Sequence, residues 1–352
     1  MIRWRSGVVS SVGRSWHGAI EVFVGDVRAL AYPLLVGTPA VGDRVLLNVG
    51  AQLMGLGTGG YALVVALPDR LPPDPPDDGT TRDAGHLVKA RYTPLQAIML
   101  GVDEPSSPHH AVLASASQVA GMPVVTADLH SALPAILAGV LCDAPAARVA
   151  YVMTDGGALP AWFSRTLAGL RGTLAGTVTV GQAFGGDLEA TTVHSGLLAA
   201  RHVLGADVTV VAQGPGNLGT GTTWGFSGVA VGEAVNAVAA VGGRPVGSLR
   251  ISAADPRARH RGVSHHSLTA YGRVALAPAD LVIPVGVEDL VGDVLEPLAA
   301  RHRLVSVPVD GLEEALRASP VRLSTMGRGL SEDREYFLAA AAAGRYAASL
   351  LA

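Results

Sequence analysis

The strongest constraint on this 352-residue chain is a pattern that recurs from about residue 120 onward: an apolar run, a polar or glycine-rich turn, then a stretch of helical period. "MPVVTADLHSALPAILAGVL" (122–141) is one such unit and "ARVAYVMTDGGALPAWFSRTLAGL" (147–170) is the next. The same rhythm continues through "GTVTVGQAFGGDLEATTVHSGLLAARHVLG", then "ADVTVVAQGPGNLGTGTTWGFSG" with a helix to about 241. "RPVGSLRIS", "ADLVIPVGVEDLVGDVLEPLAARH" and "RLVSVPVDGLEEALRA" complete it. Strands that are apolar throughout and alternate with helices belong to a mostly parallel sheet covered on both faces. Right-handed crossovers then make the fold a doubly wound α/β domain. Ala-Leu-Pro-Ala at 132–135 and again at 158–161 predicts two helix openings, because proline is welcome in a first turn. Ser331, followed by Glu332 and Asp333, predicts the start of a last helix.

The first 68 residues follow a different rule. Short alternating or β-branched runs at 7–12, 19–24, 27–32, 43–49 and 60–67, separated by Gly-Asp and Thr-Gly-Gly turns, predict a small antiparallel β barrel or sandwich. "DRLPPDPPDDGTTRD" (69–83), with four prolines and five aspartates, has no apolar face to bury and predicts a linker over 69–85. An α/β ligand-binding domain over 86–352 follows. Limited proteolysis should cut first within 69–83; first cuts confined to 110–330 would count against that boundary.

Composition excludes several functions. A net charge of -3 lacks the basic face that nucleic acid requires. The single Cys142 rules out disulfides and cysteine-rich metal clusters, and the single Lys89, in Val-Lys-Ala, rules out a Walker A loop. The N-terminus shows no secretory h-region, and the alanine-rich stretch from Tyr336 is interrupted by Arg345 and too weak for a membrane span. A soluble cytoplasmic protein is expected, with no membrane partner; the oligomeric state stays open, a homodimer included.

In a doubly wound sheet all strand-to-helix loops emerge at the carboxyl edge, where ligands bind. The unusual residues of this chain occupy those loops. Asp128, Asp155 and Asp187 each stand ahead of a predicted helix, where a helix cap is the ordinary role and a general base or metal ligand the functional one. His130, two residues after Asp128 in extended chain, points to the same side. The loop "GPGNLGTGT" offers the amides of Gly214, Gly216, Gly219 and Gly221 and the hydroxyls of Thr220, Thr222 and Thr223, a set suited to an anion ahead of a helix. It matches Gly-x-Gly-x-x-Gly, but the glycine-rich text runs on and Glu233 falls inside the next helix, which weakens a dinucleotide reading.

"RARHRGVSHHSLTAYGR" (257–273) packs four arginines and three histidines behind the lone Asp255. Asp255-Pro256 delays the helix to about Ser264 or Ser267, so this segment should cross the sheet edge as a loop. Arg257, Arg259 and Arg261, with Arg328 of "STMGRG", are candidate anion ligands, and His265 or His266 a candidate acid/base. Neighbouring histidines diverge, so one of each pair (109–110, 265–266) should reach a site. A divalent metal is conceivable on His110, Asp128, His130 and Asp155, joined by one of His265 and His266. His194 and His202 fall within a predicted helix and read as packing or surface residues.

"YTPLQ" (92–96), "SPHH" (107–110), "MTDGGALP" (153–160), "GQAFGGDLEA" (181–190), "GPGNLGTGT" (214–222), "ADPRARHRGVSHHSLTA" (254–270) and "STMGRG" (324–329) resemble an actinobacterial and Gram-positive bacterial family catalogued only as a domain of unknown function. That resemblance implies no activity. The residues themselves lead to a protein that binds a small anionic ligand, a phosphorylated one by preference, at the carboxyl edge of the sheet. Hydrolysis or group transfer by Asp and His is the enzymatic version. A non-catalytic ligand-binding or regulatory protein is the alternative, and a nicotinamide-dependent oxidoreductase the third reading.

Overall fold

The computed structural model describes residues 2–73 and 85–351; most of the proline- and aspartate-rich linker, 74–84, lies outside the described residues. The chain forms two compact units, one of residues 1–99 with Trp162–Ala168, the other of 100–161 with 169–352.

The first unit is a six-stranded sheet in the order β1-β5-β6-β4-β3-β2. Its strands are β1 (Trp4–Val8), β2 (Ser11–Trp16), β3 (Ala19–Val24), β4 (Val27–Ala31), β5 (Arg44–Asn48) and β6 (Ala62–Ala66). The run predicted over 7–12 is two strands, because the chain breaks at Val9-Ser10. One pair, β4 with β6, is parallel, so the sheet is mixed. Single-turn helices α1 (Pro33–Val36) and α2 (Gly50–Leu53) bridge strands, and alternate residues such as Val22, Ala29, Val45, Leu47 and Val64 form the core. The hairpin β7 (Leu87–Lys89) and β8 (Ala97–Met99) belongs to this unit too. So does Trp162, whose carbonyl accepts from Trp16 Nε1 at 2.7 Å. The hairpin carries the unit past 86, the expected start of the α/β domain, and no sequence period marks the returning segment 162–168.

The second unit carries an eight-stranded, all-parallel sheet in the order β12-β11-β10-β13-β9-β14-β17-β18. The strands are β9 (Pro123–Ala127), β10 (Val149–Thr154), β11 (Gly176–Thr179), β12 (Leu188–Glu189), β13 (Val208–Gln213), β14 (Arg244–Ser248), β17 (Asp280–Pro284) and β18 (Arg303–Val307). A two-residue pair, β15 (Ile251–Ser252) with β16 (Gly262–Val263), stands after β14. The helices are α3 (His110–Ser115), α4 (Leu133–Asp143), α6 (Val193–His202), α7 (Ala230–Ala240), α8 (His265–Thr269), α9 (Glu288–Val291), α10 (Leu312–Arg317) and α11 (Arg334–Ser349), while α5 (Arg165–Leu170) has its first four residues in the first unit. Central strands β9, β10 and β13 are buried almost throughout, as two-sided coverage requires.

Two helix starts differ from expectation. The second Ala-Leu-Pro-Ala does not open a helix: Pro160 bridges to Phe184, the chain makes a 3₁₀ turn over Ala161–Phe163, and α5 begins at Arg165. The last helix begins after Asp333 rather than Ser331, and the Asp333 carboxylate bonds elsewhere instead of capping it.

The strand order places the site. From β9 the chain crosses through α4 toward β10, whereas from the adjacent β13 it crosses through α7 in the opposite direction to β14. With right-handed crossovers the two connections leave on opposite faces and open a crevice outside the carboxyl ends of β9 and β13. The residues at that opening are Asp128 and Gln213–Gly214. Among the described residues no helix is long and apolar enough to cross a membrane.

Candidate functional site

Asp128 leaves β9 directly into the crevice and is 6% exposed. Its Oδ2 lies 3.9 Å from Arg250 Nη1 and 3.6 Å from His266 Nδ1. Neither Asp128 Oδ2 nor His266 Nδ1 has a hydrogen-bond partner. His266 comes from α8, whose helix opens at Ser264: the serine hydroxyl accepts the His266 amide at 3.2 Å. The segment 257–266 therefore reaches the same edge as Asp128 although more than 120 residues intervene.

His260, a residue the sequence reading did not select, completes the group. It sits 1% exposed in a 3₁₀ turn (Ala258–His260), with Nδ1 2.7 Å from Ser264 Oγ. Its ring centroid is 5.0 Å from that of His265 and 4.7 Å from that of His266, and the latter two are 4.5 Å apart. Both members of the 265–266 pair thus join one cluster, against the expectation that only one could. A 100° divergence on a helix is bridged by the length of two imidazoles that meet a third from the facing turn. Phe226 stacks on His266 at 3.7 Å with rings 2° from parallel. Burial first, then the charges of Arg250 and Arg257, push the His260 imidazole down to about 3. Burial, His266 and Arg259 lower His265 as well. Both rings are held neutral at pH 7, the form that binds metals.

A charge network surrounds this group. Asp255, its side chain fully buried, receives Arg257 Nε at 2.9 Å, Arg257 Nη2 at 2.8 Å, Arg250 Nη2 at 3.1 Å and Arg328 Nη2 at 3.3 Å. Arg328 continues to Asp333 through Nε at 2.9 Å, and Asp333 also accepts the Ser252 hydroxyl at 2.8 and 2.9 Å. Arg257 and Arg328, expected to hold an anion, are therefore committed to carboxylates of the protein. Arg261 donates Nε to the Ala253 carbonyl at 3.3 Å. Arg259 is exposed and makes no hydrogen bond or ion pair among the described residues. Three carboxylates (128, 255, 333) offset three guanidinium groups (250, 257, 328), which leaves the charges of Arg259 and Arg261 without a carboxylate, and of these two only Arg259 also lacks a hydrogen bond among the described residues.

Arg259 meets the glycine-rich loop: a Cβ placed on Gly221 would lie 3.9 Å from Arg259 Nη2. The loop is an exposed turn closed by Thr220 N to Gly225 O (2.7 Å) and Ser227 N to Leu218 O (3.0 Å). The Thr220 and Thr222 hydroxyls lie 3.2 Å apart, and Thr222 Oγ1 accepts the Gly225 amide. Gly216, Gly219 and Gly221 stand in the exposed part. Gly214 does not: a Cβ there would come within 2.4 Å of Ala158 O, and its amide donates to Thr154 O, so it serves close packing. Because α7 starts only at Ala230, no helix opens from the glycines as a dinucleotide fingerprint demands.

The remaining predicted residues do not join the cluster. Asp187 precedes the two-residue strand β12, not a helix, and its carboxylate accepts the Thr177 amide and hydroxyl at the amino end of β11, across the sheet from the crevice. Asp155 is exposed at the correct edge but accepts the Gln182 amide at 2.8 Å, pinning the turn after β11. His130 Nδ1 bonds the Tyr151 hydroxyl at 3.0 Å, which in turn donates to the Ala212 and Gln213 carbonyls. Burial pushes that imidazole down to about 4, so His130 serves as a neutral core residue. His110 binds the Asp103 carbonyl at the start of α3. His110, Asp128, His130 and Asp155 are thus not brought together as a metal set. Among the described residues the group that could hold a metal is His260, His265 and His266, whose ligand atoms all lie within 4.8 Å of one another.

A family model described as a protein of unknown function matches residues 28–344. No curated protein and no solved structure matches the chain.

Proposed function

Since the chain belongs to that family, DUF3866, whose description names no activity, we propose from the site that it binds a small anion at the switch-point crevice, a phosphorylated one by preference. One observation carries the placement of the site, and the exposed Arg259 beside Gly221 carries its preference for an anion. Five buried side-chain polar atoms lack a hydrogen-bond partner among the described residues, and four of them, Asp128 Oδ2, Gln213 Oε1, His265 Nε2 and His266 Nδ1, gather at this one edge. Buried polar atoms are otherwise almost always paired, so such a gathering is the mark of a site whose partners arrive with a ligand. Arg259, the Thr220 and Thr222 hydroxyls and the exposed loop amides supply the anion contacts. Asp128 and the histidines stand behind them as the reacting groups for hydrolysis or group transfer.

Arg259→Gln tests the reading. A charged hydrogen-bond donor contributes about 1.5–3 kcal/mol, so affinity for pyrophosphate or inorganic phosphate should fall roughly ten- to a hundredfold in isothermal titration. Arg259→Lys should also bind more weakly, since it keeps the charge and loses the planar fork. Equal affinity in wild type and both variants, or no phosphate binding at all, would remove Arg259 from the site.

A further inference from the structure

We propose that His260, His265 and His266 form a binding site for a divalent transition metal of the zinc class, with Asp128 as the outer carboxylate that orients His266. Imidazole sets suit zinc, copper, iron or nickel rather than calcium or magnesium, which take oxygen ligands. A metal about 2.05 Å from each nitrogen in tetrahedral geometry draws the nitrogens to about 3.3 Å from one another. One nitrogen of each ring already lies within 4.8 Å of the others, so the gap that side-chain rotation has to close is about 1.5 Å.

The surroundings match what a metal-bound histidine needs on its second nitrogen. Ligating imidazoles usually donate that N–H to a carboxylate, carbonyl or hydroxyl, which fixes tautomer and ring orientation. His260 Nδ1 is already 2.7 Å from Ser264 Oγ, which leaves Nε2 for the metal. His266 Nδ1 faces Asp128 Oδ2 at 3.6 Å, and both atoms are buried and unpartnered. A contraction of roughly 0.7 Å turns that approach into the carboxylate–imidazole bond. His265 Nε2 is buried and unpartnered as well. The Phe226 ring stacked on His266 holds its plane. The nearby Arg250 opposes a cation, and the two carboxylates beside it, Asp128 and Asp255, offset that opposition. Three protein ligands leave a fourth position open, the arrangement of a metal that takes water or substrate rather than a purely structural one.

The site shares Asp128, His265 and His266 with the crevice read as an anion site, so its test uses metal alone and its outcome is separate from phosphate binding. The full chain, stripped with a chelator, is titrated with Zn²⁺ against a chromophoric competitor, and with Co²⁺ to read coordination from its visible absorption. One equivalent of Zn²⁺ and an intense, tetrahedral-type Co²⁺ spectrum are expected. His260→Gln and His265→Gln should weaken Zn²⁺ by ~100-fold or more, and Asp128→Asn by about 10–100-fold with unchanged stoichiometry. Far-UV circular dichroism of each metal-free variant establishes that it is folded. If a variant does not fold, the histidine ring resonances of the wild type decide: Zn²⁺ must shift three sets, with those of the other eight histidines unmoved. No Zn²⁺ binding, undiminished binding in folded His260→Gln, or a weak, six-coordinate Co²⁺ spectrum would overturn the proposal.

Discussion

Asp255→Ala is expected to destabilise the larger unit by about 3–5 kcal/mol, a large part of the whole stability of an ordinary domain. The reason is what the substitution leaves behind. Arg250 is 3% exposed in its side chain, and its remaining carboxylate neighbour, Asp128, stands 3.9 Å away, beyond hydrogen-bond range. A buried guanidinium deprived of its close partner costs far more than an exposed ion pair is worth. Arg328 still reaches Asp333, so its loss is smaller, and Arg257, about a third exposed, can turn to solvent. The Asp255 backbone also ties the turn, because its amide donates to Ser252 Oγ at 3.0 Å and its carboxylate accepts the Arg257 amide. Urea unfolding followed by circular dichroism at pH 7 measures the effect. A loss under 1 kcal/mol would show that Arg250 finds solvent or another partner when Asp255 is gone.

The same carboxylate sets a pH dependence whose sign is fixed. Burial would raise its proton affinity, but the hydrogen bonds from the Arg257 side chain and amide, and the charges of Arg257 and Arg250, outweigh burial and hold it well below the usual carboxylate range. With the folded value depressed, the stabilisation is fully present above the unfolded pKa of about 3.9 and is lost as pH falls below it. Wild type should therefore lose stability steeply below about pH 4, and the Asp255→Ala curve should be flatter there.

The layout of the larger unit was legible because each local signal agreed with the global one. Apolar runs near 123–127, 149–154 and 208–213 are buried on both sides of the sheet, and a buried parallel strand needs that composition. Ser264 was readable as a helix start because the pre-proline restraint at Asp255 and the serine lie close in sequence. What failed had no local signature. The strand β12 is two residues long, too short for any period, so Asp187 read as a helix cap when it belongs to the amino edge. Arg328 is 73 residues from Asp255, and nothing near either names the other as partner. His260 lies five and six positions before the other two histidines, a spacing no single helix or strand brings to one point. Only the 3₁₀ turn between Arg257 and Arg261 does so.

Gly344→Val is expected to have an effect of similar size from a different cause, and to reach the site from the far end of a helix. Helices α4 and α11 touch backbone to backbone through two glycines. A Cβ on Gly344 would lie 2.0 Å from Ile136 O, and one on Gly139 would lie 1.9 Å from Ala341 O. Neither obstacle is the movable end of a side chain, so the helices must separate to admit even a methyl group. Replacing a helical glycine by alanine normally gains about 0.8–1 kcal/mol of helix propensity. Overpacking costs about 1–3 kcal/mol and more against backbone, so the net sign for Gly344→Ala is a loss, with Gly344→Val losing ~4 kcal/mol or more. α11 cannot shift alone, since all but a few of its residues are buried. Its start carries Asp333, joined to Ser252 and Arg328, and its first turn carries Tyr336, whose hydroxyl meets Ser131 Oγ at 2.8 Å beside His130. Moving the helix therefore disturbs the Asp333–Arg328–Asp255 chain that holds the arginine and histidine loop. The urea midpoint reads the first consequence, and line broadening or displacement of the His265 and His266 ring resonances reads the second. A Gly344→Ala protein more stable than wild type, by the propensity gain alone, would mean that the two helices stand further apart than their backbones do here.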